Sequence, residues 1–506
     1  MKYIDYKQLN PFQKFGYNFK NFFINLPKNL KKFFCMIGRF FKNLFIGIGK
    51  GFAGYGTRFV RGDWATKLSY IVMGTGNIVR KQFVKGFMFL IIEIAYIAMM
   101  VFFGVEKLAK MFTPTGTIGT VVSETVTGAN GRPVHIIGDN SMIILLYGVL
   151  TIILSVIFLV IYVTNTKSAY KAQCTVAAGE KPVTFMEELK DLLDNRFHVT
   201  LLAFPTLTIS AFTILPLIFM ILIAFTNFDH SHVPPGTLFS WVGFQTFADI
   251  FSSSGVSSKG ATFLELTKWT LVWAVFATVL NYILGMIVAL MINKKGIRLK
   301  ALWRTLFVVT VAVPQFVSLL LMNQMLQDDG AINVLIKMLG MQPISFLNST
   351  PLVARITVIV INCWVGIPYT ILITSGILMN IPADLYESAT IDGAGPARSF
   401  FSITLPYMLF VTTPYLITSF IGNINNFNVI YLLTNGGPTS GPNSPQMAGG
   451  AGYTDLLVTW LFKLTMSEND NNLAAAIGIL VFIVCATLSL ITFNLTKSAK
   501  NEEEFS

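Results

Sequence analysis

The sequence predicts an all-α, polytopic membrane protein with eight transmembrane helices, and three observations predict it. The chain is poor in charge: 12% of its 506 residues are Asp, Glu, Lys or Arg, while 53% are apolar. An average soluble domain carries about a quarter charged residues. The apolar residues gather in eight runs, 87–104, 142–164, 201–226, 269–292, 303–325, 355–379, 407–433 and 473–496, each close to the roughly 20 residues that cross a hydrocarbon core of about 30 Å. The runs are continuous rather than alternating, which excludes a barrel. Lipid offers backbone groups no water, so these runs are expected to be helices.

The first part, residues 1–86, is a basic cytosolic or interfacial segment. It holds sixteen Lys and Arg up to Lys85 against only Asp5 and Asp63. Residues 12–60 interleave Phe with bases, as in Lys31-Lys32-Phe33-Phe34 and Arg39-Phe40-Phe41-Lys42. That pattern suits a segment lying in the bilayer interface, rings toward the tails and bases toward anionic headgroups. It serves either anchoring and topology or regulation. A cleavable signal peptide is not expected, because bases interrupt every early apolar stretch.

Residues 87–200 supply the first two spans and a cytosolic amphipathic loop. Glu93 in the first span is either a proton relay or a carboxylate satisfied inside the bundle. In the loop, Thr184 followed by Glu187 is a capping-box pattern. Phe185, Leu189 and Leu192 then recur at helical spacing, which predicts an interfacial helix.

Residues 201–497 hold six more spans, and 498–506 form a cytosolic tail. The connection after the fourth run carries Lys294, Lys295, Arg298, Lys300 and Arg304 with no acid, so the positive-inside rule places it and both termini in the cytosol. The net charge of +12 is largely this bias rather than a nucleic-acid footprint. Cys35, Cys174, Cys363 and Cys485 show neither disulfide nor metal spacing. The stretch from Asn435-Gly436-Gly437-Pro438 through Gly449-Gly450-Ala451-Gly452 is rich in turn formers and is expected to be a mobile outward loop.

Between the sixth and seventh runs lies the segment 381–406, which contains Asp384-Leu385-Tyr386-Glu387-Ser388-Ala389-Thr390-Ile391-Asp392-Gly393 and ends at Pro406. It reads as two short helices meeting at a bend. Pro382 suits a first helical turn, and Asp384 and Glu387 sit where the dipole favours negative charge. Gly393 and Gly395 break the run, and Pro396 starts a second helix that ends before Pro406. An 11-residue helix is a rod of roughly 16 Å, enough to fill a cleft on a partner.

This segment resembles the EAA motif of binding-protein-dependent ABC importer permeases, with Ser388 and Thr390 flanking Ala389 where the motif name implies alanine. Glu387, Gly393, Ile403, Leu405 and Pro406 keep the family spacing. In that family the motif is the coupling helix that docks on the ATPase. The resemblance therefore implies coupling roles for Glu387, Ser388, Ala389, Asp392, Gly393, Ile403 and Pro406. Further stretches, Arg304–Pro314, Trp364–Tyr369, Asn425–Pro438 and Ala451–Leu457, resemble the MalF-like maltose/maltodextrin permease subunits over about residues 200–497.

The resemblance implies an ABC type I importer permease fold and import of maltodextrin or malto-oligosaccharides, or alternatively of a raffinose or multiple-sugar type oligosaccharide. It implies as partners a second, MalG-like permease subunit and a dimer of ATPase subunits, MalK-like or shared. It also implies an extracellular sugar-binding lipoprotein. ATP and Mg belong to the ATPase; this chain would bind no cofactor and be no enzyme. Only residues 227–268 separate the third and fourth runs, where the enteric form carries a large domain. That resembles the Gram-positive versions and implies a plasma membrane of that type.

The seventh run places Ser419, Asn423, Asn425, Asn426 and Asn428 at bilayer depth, where polar groups usually face a cavity or the bundle interior. At 100° per residue Ser419, Asn423 and Asn426 share one face of a continuous helix. Amides suit neutral sugar hydroxyls, and Trp364 or Tyr369 would suit pyranose faces. The alternative is that the amides bond helices to each other. The resemblance implies a sugar site of Gln315, Gly366, Tyr369, Ser419, Asn423, Asn426 and Asn428.

Other classes lack their residues. Gly47-Ile48-Gly49-Lys50-Gly51 has neither the spacing nor the hydroxyl of a phosphate-binding loop. An ion-coupled transporter would need intramembrane carboxylates, for which Glu93 is the candidate. A membrane enzyme would need paired acids or clustered histidines, and His135, His198, His230 and His232 are scattered.

Overall fold

A computed structural model describes residues 53–127, 133–252, 258–294, 296–441 and 445–495, together with 35, 38–39, 42–43, 46–47 and 49–51. The interfacial pattern expected over 12–60 falls largely outside these residues, and the tail 498–506 falls wholly outside them. The chain divides into two units, Met1–Phe219 and Met220–Ser506.

The first unit is built on α1 (Phe83–Met111) and α2 (Ser141–Ala177). Between them lies an antiparallel hairpin, β1 (Glu124–Thr127) and β2 (Pro133–Ile136), with Glu124 opposite Ile136. Helix α2 outruns its apolar stretch because its far end has something to pack against. There Asn165 accepts from the Gly74 N–H at 2.9 Å and donates to the Ser69 carbonyl at 3.0 Å. Arg80 pairs with Asp63 at 2.7 Å, closing a folded segment over 63–82 that the hydropathy pattern did not foreshadow. Glu93 accepts from the Met73 N–H at 2.8 Å, a partner of the kind a carboxylate satisfied inside the bundle needs.

The predicted capping box is realised at α3 (Phe185–Leu193). Glu187 N–H donates to the Thr184 hydroxyl at 3.3 Å, and the Glu187 carboxylate accepts from Thr184 N–H at 2.8 Å. Those bonds hold the Glu187 carboxyl below its usual range. Lys85 pairs with Glu188 at 2.6 Å, tying α3 to the start of α1 and leaving Phe185 and Leu189 exposed. Helix α4 (Phe197–Ile223) crosses from the first unit into the second.

The second unit contains α5 (Lys259–Asn293), α6 (Lys300–Ala312), α7 (Gln315–Leu326) and α8 (Pro351–Met379). They are followed by α9 (Ala383–Ile391), α10 (Pro396–Ile424), α11 (Phe427–Leu433), α12 (Leu457–Met466) and α13 (Asn471–Leu495). Among the described residues, seven helices are long and apolar enough to cross a membrane, or eight if one bent pair is a single span. Helix α5 is the axis of this unit. Its Trp269, Trp273 and Ala277 are buried with Leu319 of α7, Val358 and Ile361 of α8, and Val429 and Ile430 of α11. Lipid tails are as apolar as leucine, so close approach and polar bonds hold such helices together. A Cβ at Gly285 would strike Thr370 on α8 at 2.6 Å, and Tyr282 and Thr412 share a hydrogen bond of 2.8 Å between α5 and α10.

Three expectations are corrected here. The fifth run is not one straight rod: α6 stops at Ala312, and the stretch from Gln315 to Met338 is bent from it by 86°. Pro314 forces Val313 into an extended conformation (φ −74°, ψ 125°) and itself lacks the N–H a continuing helix needs. The seventh run is also broken, between Ile424 and Phe427: Asn425 N–H makes a last ladder bond to the Ile421 carbonyl, and Asn426 leaves the ladder. Finally, the turn-rich stretch 435–452 is no mobile loop over its described part. Gly436, Pro438, Met447, Ala451 and Gly452 are buried within it, and the residues that follow, Tyr453 to Leu456, are buried as well.

Candidate functional site

Of the amides expected to line a pathway, Asn423 stands where α10 packs on α5. Asn423, the penultimate residue of α10, is buried; its Nδ2 donates to Thr278 Oγ1 at 3.0 Å, and its carbonyl accepts from Trp273 Nε1 at 3.0 Å. Asn426 begins the next helix. Its Oδ1 accepts from Val429 N–H at 3.3 Å, and its Nδ2 reaches Asn423 Oδ1 at 3.4 Å. The expected single face of Ser419, Asn423 and Asn426 is therefore corrected, because a helix end intervenes. Asparagine side chains compete with the ladder for backbone N–H groups, which is why Asn426 starts a helix instead of continuing one. Asn425 turns away toward α13, with Nδ2 3.9 Å from Cys485 Sγ.

The structure does not join the remaining residues of the candidate set to that pair. Among the described residues, hydrogen bonding links Asn423 to Asn426 and leaves Gln315, Gly366, Tyr369, Ser419 and Asn428 unconnected to them. Gln315 is half-buried at the first position of α7, just past the Pro314 turn; Ser419 is half-buried and Asn428 exposed. Tyr369 is half exposed, its ring 6.2 Å from that of Tyr415. Gly366 has a steric reason to be glycine: any Cβ there would overlap the Asn281 amide.

That contact exposes residues the sequence reading missed. Asn281 on α5 and Asn362 on α8 lie within apolar runs. The Asn281 Oδ1 and Asn362 Nδ2 are buried without a protein partner. A buried orphan amide costs about 1–3 kcal/mol unless something polar reaches it. The signal was available, since both are amides at bilayer depth like those of the seventh run. Together with Thr278 they make an uncharged polar seam, able to donate to and accept from hydroxyl groups or water.

A second set of candidates sits at the other end of α10. Helix α9 spans nine residues, about 14 Å, and buries none of them. It ends in a Schellman motif: Ala394 N–H bonds to the Ala389 carbonyl at 2.8 Å and Gly393 N–H to the Thr390 carbonyl at 3.0 Å, with Gly393 at φ 74°. Tyr386 and Thr404 share a 2.8 Å hydrogen bond that pins α9 to the root of α10. Glu387, Ser388, Asp392 and Gly393 are exposed, as is Pro406, while Ala389 and Ile403 are half-buried. The expected second short helix does not end before Pro406. It runs from Pro396 through a π-helical turn at Phe400–Thr404 into the long span. The wider turn removes the need for the N–H that Pro406 lacks.

The third feature was read as a loop and is a clasp. Asp455 accepts from Gly452 N–H at 2.7 Å and Thr459 Oγ1 at 2.8 Å, and pairs with Lys463 at 2.7 Å. Burial pushes its carboxyl upward despite that pairing. Gly436, at φ 79°, lies against the carboxylate, and a Cβ there would overlap it; a Cβ at Gly452 would overlap the Gly436 carbonyl. Thr454 closes the clasp with bonds to Gly437 carbonyl at 2.6 Å and Thr434 at 2.8 Å. Arg355 lies over the Trp269 ring at 4.6 Å and donates to the Tyr453 carbonyl at 2.8 Å.

Comparison with known proteins adds to this geometry. Residues 281–500 match the family described as binding-protein-dependent transport system inner membrane component. The galactooligosaccharides transport system permease protein GanP of Bacillus subtilis is 34% identical over 435 residues, covering 85% of this chain and 97% of that one. The maltodextrin transport system permease protein MdxF of the same organism is 33% identical over 442 residues, covering 86% and 95%. The maltose/maltodextrin transport system permease protein MalF of Klebsiella aerogenes is 37% identical over 262 residues, 51% of this chain and 49% of that one.

Proposed function

Because the chain belongs to the family of binding-protein-dependent transport system inner membrane components, a family of ABC importer permeases, we propose that it moves an uncharged oligosaccharide of the maltodextrin type inward. The observation that carries this is the seam of Asn281, Asn362, Asn423 and Asn426, which offers donors and acceptors but no charge inside the bundle. Ions and carboxylated substrates would find no counter-charge there, whereas sugar hydroxyls suit neutral amides. Gln315, Gly366, Tyr369, Ser419 and Asn428 complete the proposed pathway around that seam.

In this reading the energy comes from elsewhere. The exposed α9, with Glu387, Ser388, Ala389, Asp392 and Gly393, docks on a separate ATPase dimer that binds ATP and Mg. Ile403 and Pro406 shape the root that receives the motion. Helix α10 carries it: 29 unbroken residues, about 43 Å, connect the coupling end to Asn423. A second permease subunit supplies the other wall of the pathway, and an extracellular binding protein delivers the sugar.

Near-full coverage of the Bacillus permeases, against about half of the Klebsiella MalF, supports a Gram-positive plasma membrane. It equally supports a second reading, in which the cargo is a galacto-oligosaccharide. Competition decides between them. Labelled maltotetraose uptake by the reconstituted complex is expected to be blocked by unlabelled maltodextrin and not by galacto-oligosaccharide; the opposite order supports the second reading. A Gly393→Pro variant is expected to lose uptake, and unaltered uptake would remove α9 from the mechanism.

A further inference from the structure

Beyond the amide seam, toward the clasp, the second unit holds a cavity of about 390 Å³ between α7 and α11. That volume lies within the usual range of small-molecule pockets, about 300–1,000 Å³. Asn323 lines it from α7 and Gln327 from just past its end, Asn348 from the stretch before α8, and Tyr431 and Asn435 from α11 and its end. Gln327 and Asn348 belong to the connection between the fifth and sixth runs, opposite the basic loop 294–304, so the positive-inside rule places the cavity on the predicted outward side.

Its chemistry repeats that of the seam without sharing a residue with it. The amides and the phenol are uncharged. Asn323 donates to the Leu433 carbonyl at 2.6 Å and accepts from Gln327 Nε2 at 3.1 Å, which fixes both side chains. Among the described residues, the side-chain amides of Asn348 and Asn435 hold no partner, and both residues are exposed to the cavity mouth. The Tyr431 ring is clamped by Phe427, stacked at 4.8 Å, and by the edge of Phe462 at 5.3 Å. A fixed ring beside free amides is the combination that grips a pyranose, apolar face on the ring and hydroxyls on the amides. The wall behind it is held by the Thr434–Thr454 bond of the clasp, so the site is formed before anything enters.

We propose that this cavity is a second saccharide subsite, holding the trailing unit of an oligosaccharide while its leading end occupies the seam. The proposal rests on the sugar-permease reading and adds a consequence of its own: chain length matters at Gln327 and Asn348. The test is uptake of labelled maltose and labelled maltopentaose by proteoliposomes. These contain the chain with its second permease, ATPase dimer and binding protein. Gln327→Leu is expected to lower maltopentaose uptake about fivefold more than maltose uptake, the effect of one or two lost neutral hydrogen bonds. Asn348→Ala, on an exposed loop residue that supports nothing else, is expected to give the same bias and serves if the first variant does not assemble. Equal losses for both sugars, or no loss for either, overturn the subsite. A weakened dependence on binding-protein concentration that is identical for both sugars assigns the cavity to protein docking and overturns it too. Failure of the unaltered complex to take up either sugar overturns the functional reading instead.

Discussion

Two segments punctuated by glycine and proline, 381–406 and 433–457, differ in the fold. In the first, a Cβ at Gly393 or Gly395 would meet nothing within 4 Å, and α9 buries no residue. In the second, Cβ atoms at Gly436 and Gly452 would overlap protein, and Asp455 is sealed beneath them. In the first, α9 and its turn are shaped by the Schellman cap and the Tyr386–Thr404 bond. The second, around Gly436 and over 451–457, is packed against its own chain. A turn that is shaped but uncovered is suited to a partner, and one that is covered by its own chain is part of the scaffold.

The contrast breaks most easily at Asp455. Asp455→Ala strands Lys463, whose side chain is only 13% exposed, and is expected to cost about 3–5 kcal/mol. Thermal unfolding in detergent would show this as a large fall in Tm; an unchanged Tm would mean the clasp is not scaffold. Glu387→Ala should do the reverse. The expected stability change is within about 0.5 kcal/mol, as for an exposed site, while sugar uptake falls at least tenfold (about 1.4 kcal/mol per decade) and ATP hydrolysis no longer tracks transport. Normal coupled uptake would equate the two segments.

The seam lies between these extremes. Asn423→Leu removes the bond to Thr278 and is expected to lower stability by about 1 kcal/mol. Exposed Asn428→Ala should leave Tm alone and shift sugar preference, read by competition uptake. The smallest effect concerns pH. Burial alone would raise the Asp139 carboxyl, but Lys110 and the N–H groups of Thr120 and Val121 hold it at about 2, below its ordinary 3.8. A depressed carboxyl contributes stability above its unfolded pKa and loses it as the pH falls through the folded one. The N–H groups of Thr120 and Val121 should therefore lose hydrogen-exchange protection between about pH 4 and 2, while the clasp stays protected.

Much of this was legible in advance, for physical reasons that differ from place to place. Apolar runs announce spans because lipid demands them, and the Thr184–Glu187 box announces α3 because capping is local chemistry. Pro314 and Asn426 broke their runs for equally local reasons, but hydropathy averaged over a span hides one missing N–H or one competing amide. The clasp was illegible because Gly436 and Asp455 meet only through tertiary structure, and composition made a packed knot look like a loose loop. Asn281 and Asn362 carried the same signal as Asn423; what singled them out was the absence of partners for their amides, which only coordinates reveal.

The most direct test of the account is ATP-driven uptake of labelled maltopentaose into proteoliposomes that hold the two permeases, with and without the ATPase dimer, binding protein present throughout. The account predicts accumulation with the ATPase present, none when it is omitted, and none when Gly393→Pro replaces the native turn. Accumulation against a gradient in vesicles lacking the ATPase would contradict it.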